Sequence, residues 1–101
     1  MFKAPINVIV KLPLIGDEGH LSRTWSNRIP VIPRVGETLF ILEDLRPKVV
    51  SVEYMGNNYN IIVIKLEPIS SSFLYELTDK RRSMKWKNAW TYYDSKGYPS
   101  L

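Results

Sequence analysis

The chain has 101 residues, 45% apolar and 24% charged, which is enough for one packed core and too short for a second domain. It contains no cysteine, and this excludes disulfides, thiolate metal sites and cysteine nucleophiles. The net charge of +4 is unevenly held: residues 80–101 carry six Lys/Arg against one acid, whereas residues 1–79 carry eight against nine.

Ile6, Val8, Val10, Leu12 and Leu14 alternate with Asn7 and Lys11 among others, a period of two that predicts a first strand with one face on the core. This stretch is too short and too alternating for a signal or membrane-spanning segment, and the chain holds no Asn-x-Ser/Thr acceptor. A cytoplasmic protein without a membrane partner is expected. Gly16-Asp17-Glu18-Gly19 ends the strand, and residues 17–36 show no sustained period, which predicts a long loop with at most a short edge strand. The apolar run Thr38-Leu39-Phe40-Ile41-Leu42 predicts a second strand closed by a tight connection. Residues 49–54 predict a third strand, half exposed, with Val50, Val52 and Tyr54 on one face. Met55-Gly56-Asn57-Asn58 then supplies hairpin-turn chemistry. Residues 60–67 predict a fourth strand, with Ile62, Ile64 and Leu66 on one face, stopped by Pro68.

Three serines at 70–72 suit a helix cap, and Phe73, Leu77 and Met84 keep helical spacing, with Glu76 set to pair with Lys80. A helix is expected over 72–84. Trp90-Thr91-Tyr92-Tyr93 predicts a last short strand, with a turn at residues 94–97 and a frayed end from Tyr98. The sum is a mainly β fold: a single domain over 1–101, four to five antiparallel strands closed as a small barrel to remove free edges, and one short helix near the C-terminus. Residues 72–101 form its basic, aromatic helix-plus-strand segment.

Pro33-Arg34-Val35-Gly36-Glu37 before a strand, followed by residues 49–54 and 61–68, resembles the opening of small SH3-like β-barrel proteins of bacteria and phage. The resemblance covers residues 33–68. It implies the barrel fold and no particular function, because small barrels host many roles.

Few residues offer catalytic chemistry. His20, the only histidine, has Asp17 and Glu18 beside it, fewer ligands than metal sites use, so a solvated loop histidine and no metal are expected. Ser22 beside it sits in no nucleophile elbow, the glycines form no phosphate loop, and nothing marks paired catalytic carboxylates. The expectation is a non-enzymatic binding module without a cofactor. Its strongest constellation is Lys80, Arg81, Arg82, Lys85, Trp86 and Lys87, followed by Trp90 and Tyr92. Cations neutralise phosphates and aromatic faces stack on unpaired bases, which is what single-strand binding needs. The same aromatics would equally serve to cover one end of a barrel, with the cations solvated around them. A second cluster, Arg23, Trp25 and Arg28, lies in the long loop and also suits a protein interface. Single-stranded nucleic acid and an acidic protein surface are thus the expected partners, and a homo-oligomeric assembly subunit is the rival reading.

Overall fold

The computed structural model describes residues 7–16, 19–26, 32–56, 60–78 and 90–100. They are mainly β. The elements are β1 (Asn7–Ile15), β2 (His20–Ser26), β3 (Val49–Met55), β4 (Ile61–Leu66), β5 (Ile69–Ser70), α1 (Phe73–Thr78), β6 (Thr91–Tyr93) and β7 (Pro99–Ser100). Hydrogen-bonded neighbours follow the order β3-β4-β1-β2-β6-β7, while β5 adds to β1 in parallel. The sheet is therefore open and mixed, where the sequence led to the expectation of a closed antiparallel barrel.

The chain divides into two compact units, one of residues 1–10 and 24–67, the other of residues 11–23 and 68–101. In the first, Val8 and Val10 of β1 are buried with Leu45, Val49, Ile62, Ile64 and Leu66. The β3–β4 hairpin pairs Val52 with Ile64 and Tyr54 with Ile62, and a bulge between Val49 and Ser51 shifts the register by one residue. That bulge corrects the expected strand faces: Val49 points inward while Val50 is exposed.

The run at 38–42 is not a strand. It is held by isolated bridges, Thr38 to Lys48 and Leu42 to Leu45, the second closing a tight turn around Glu43 and Asp44. Phe40 is 60% exposed and lies under the Arg46 guanidinium, 5.1 Å from its ring centre. Residues 34–37 form a turn through the Glu37 N–H donated to the Arg34 carbonyl (3.0 Å). Gly36, at φ +90°, then donates its N–H to Val49 at 2.9 Å.

The second unit buries Leu12, Leu14, Leu21, Ile69, Leu77 and Trp90. Here the expected loop 17–36 is corrected, because residues 20–26 form β2, paired antiparallel to β6. The expected fraying from Tyr98 is corrected too, since β7 pairs with β6 through Tyr93–Pro99 and Tyr92–Ser100. Asp94 fixes that hairpin: its carboxylate Oδ1 accepts from the Lys96 N–H (2.9 Å) and the Tyr98 N–H (3.0 Å). Gly97 supplies the left-handed residue (φ +84°) that a type I turn with a following bulge requires. Only residues 73–78 of the expected helix are described as helical; residues 79–84 lie outside the described residues.

Candidate nucleic-acid interface

Lys80, Arg81, Arg82, Lys85, Trp86, Lys87 and Arg28 lie outside the described residues, and Trp25 is described only as a backbone position in β2. Trp90, Tyr92 and Arg23 can be placed. Trp90 is 5% exposed, and its N–H donates to the Leu77 carbonyl at 3.1 Å. Between stacking surface and core, the alternatives left open by the sequence, Trp90 therefore belongs to the core.

Tyr92 is half-buried, opposite Leu21 on the inward face of the β2–β6 pair. Arg23 follows Leu21 by two residues and so shares its side of the strand. Its side chain is half-buried with Nε enclosed, and loss of water pulls the guanidinium below the usual arginine range.

The contact between Leu77 and Trp90 has a larger consequence. Both residues are buried in the second unit, and the hydrogen bond brings together the two ends of the twelve residues between them. Those residues hold five cations, Lys80, Arg81, Arg82, Lys85 and Lys87, against the single acid Asp79. The rest of the chain has nine charges of each sign. The whole net charge thus sits in one segment with fixed ends. No protein-family model, curated protein or solved structure matches the chain. Its functional reading consequently rests on its own residues.

The structure also assembles residues that the sequence did not single out as a set. His20 is a strand residue, not a solvated loop histidine, and its ring stacks on Tyr93 with centroids 5.5 Å apart and planes 13° from parallel. Ser22 pairs with Thr91 on the same outward face, and Pro99 lies across from Tyr93. Gly19 permits this closeness: a Cβ there would stand 2.5 Å from the Tyr93 carbonyl oxygen and 2.6 Å from the Tyr92 hydroxyl. The available signal was the alternation of His20, Ser22 and Thr24 about Leu21, which the charged Arg23 obscured. Asp17 and Glu18, the carboxylates nearest His20 in sequence, lie outside the described residues, and no group of three metal-binding side chains occurs among the described ones. Among the same residues, no helix is long and apolar enough to cross a membrane.

Proposed function

We propose that the protein is a non-enzymatic binding module that holds single-stranded nucleic acid through Lys80, Arg81, Arg82, Lys85 and Lys87. The observation that carries this reading is the hydrogen bond from Trp90 to Leu77, which fixes both ends of the cationic segment on a buried base. Anchored ends confine five positive charges to one region, and this raises the local attraction for a polyanion. Trp90 contributes as the anchor and Trp86 remains the candidate stacking residue. The turn at residues 34–37 and the β3–β4 hairpin are the parts over which a resemblance to small SH3-like barrels is proposed, and such a resemblance concerns the fold and not the ligand.

Oligonucleotide binding at several salt concentrations tests the reading. Five phosphate contacts, at about −0.7 each, give a slope of roughly −3.5 for log affinity against log salt. Replacing the five cations by Gln should abolish binding with the circular dichroism spectrum unchanged. Absence of binding by the unsubstituted protein at low salt would refute the reading.

One observation favours a second reading, assembly with a protein partner. Val50, Tyr54 and Met55 are exposed on β3, the terminal strand in the sheet order. Terminal strands with exposed apolar residues recruit further strands, although the bulge near Val49 and the charge of Glu53 blunt this one. A mass that rises with concentration in light scattering would support assembly, and a constant monomer mass would count against it.

A further inference from the structure

β3 ends the strand order, and the side it turns away from β4 divides into two stretches. At Val49 that side is taken: the Val49 N–H donates to the Glu37 carbonyl at 2.8 Å, and the Val49 carbonyl accepts from the Gly36 N–H at 2.9 Å. The turn at residues 34–37 then ends this pairing, and no described residue pairs with the same side from Val50 to Met55. Val50, Tyr54 and Met55 are each about half exposed along it. A strand side with unpaired backbone groups is a template for another strand.

The strand that fits it is β3 itself. Opposed residues of an antiparallel pair point to the same side of a sheet, so a two-fold pairing of identical strands is centred on one residue. Centring on Ser51 sets Val49 against Glu53, where Val49 is already bonded. Centring on Glu53 sets two carboxylates against each other, which is destabilising. A centre further along runs into Gly56, whose φ of +85° has left the strand. Val52 remains. Around it, Ser51 stands against Glu53 of the second copy, and Val50 against its Tyr54.

Charge favours this register. Lys65 lies opposite Ser51 within the β3–β4 hairpin, so one row across the junction reads Lys65, Ser51, then Glu53 of the second copy, and symmetry repeats it. Two strand spacings separate the Lys65 and Glu53 Cα atoms by roughly 10 Å, with a small serine between them, within reach of two extended side chains. Both residues are exposed, and neither is held in an ion pair among the described residues. Glu53 thus blunts the edge toward other strands and admits this one. The opposite terminal strand, β7, has two residues and begins with Pro99, which has no N–H to donate. Head-to-tail growth therefore lacks a second edge, and pairing closes at two copies.

We propose that the protein forms a two-fold dimer by antiparallel β3–β3 pairing centred on Val52, with Lys65 of each copy facing Glu53 of the other. The proposal rests on the assembly reading given above and names its partner and register.

Sedimentation velocity from micromolar to millimolar concentration tests it, with thermal melting to monitor folding. The unsubstituted protein should pass from monomer to dimer and no further. Glu53→Lys or Lys65→Glu sets like charges along both rows and should weaken the dimer roughly five-fold or more at low salt. An equimolar mixture of the two variants should restore it, because each row then joins opposite charges. Contacts within one chain cannot produce that rescue, since neither variant carries both signs at positions 53 and 65. If either variant fails to fold, Val52→Cys decides: the chain has no cysteine, and the axis sets the two new thiols opposite each other, so mild oxidation should link the dimer. A dimer indifferent to both charge reversals, a mixture that stays weak, a dimer that Val52→Cys does not link, or growth beyond two copies overturns the β3 pairing and leaves assembly with a protein partner standing. A monomer at every concentration overturns both.

Discussion

At the scale of single residues, two glycines separate crowding from backbone strain. Gly19→Ala drives a methyl into the Tyr93 carbonyl, which belongs to backbone and cannot rotate away. Overpacking of this kind costs about 1–3 kcal/mol, to be read as a lowered urea midpoint. Gly16→Ala meets no atom within 4 Å and retains only the penalty of φ +79°, about 1–2 kcal/mol, which Gly16→Asn should partly relieve. Trp90→Ala removes a buried indole and should cost about 3–5 kcal/mol in the same assay. Its burial could not be read from the chain, because an aromatic residue next to a basic run suits core and ligand contact equally well. His20 was misjudged for a related reason: its ring gains its place from Tyr93, more than seventy positions away, and no local pattern reports that pairing.

Among the elements, legibility followed the clarity of alternation. β1 was evident because Val8, Val10, Leu12 and Leu14 are all buried and no polar residue interrupts their side. In β2 the inward side carries Leu21 and then Arg23, and a cation so soon after the buried leucine conceals the period. Its aliphatic stem can nevertheless line an apolar surface. Residues 38–42 misled in the opposite sense, since a continuous apolar run does not reveal which side is buried, and Phe40 finds its cover in Arg46 rather than in a sheet. The β6–β7 hairpin depends on Asp94. Asp94→Ala removes the acceptor for two amides and should destabilise the hairpin by about 1 kcal/mol, with faster hydrogen exchange at Lys96 and Tyr98. The amides of β1 should be unaffected, which distinguishes local opening from global loss.

For the molecule as a whole, the decisive property is the partition of charge. Removing the five cations of residues 80–87 changes the net charge from +4 to −1, and the substituted protein should pass through a heparin column that retains the original. The reading requires its melting temperature to stay within a degree or two, since charges that serve a ligand and not the core contribute little to stability. The candidate charges were fully legible in the sequence, as composition and order suffice to find them. Their common base was not, because it consists of a backbone hydrogen bond between Leu77 and Trp90. That bond also tethers the two ends of the intervening chain. Doubling the length of a segment with tethered ends costs only about 0.6 kcal/mol, so a peptide of a dozen residues inserted after Met84 should leave the urea midpoint nearly unchanged. An unchanged midpoint would make the place where this protein concentrates its charge one where foreign sequence can be grafted.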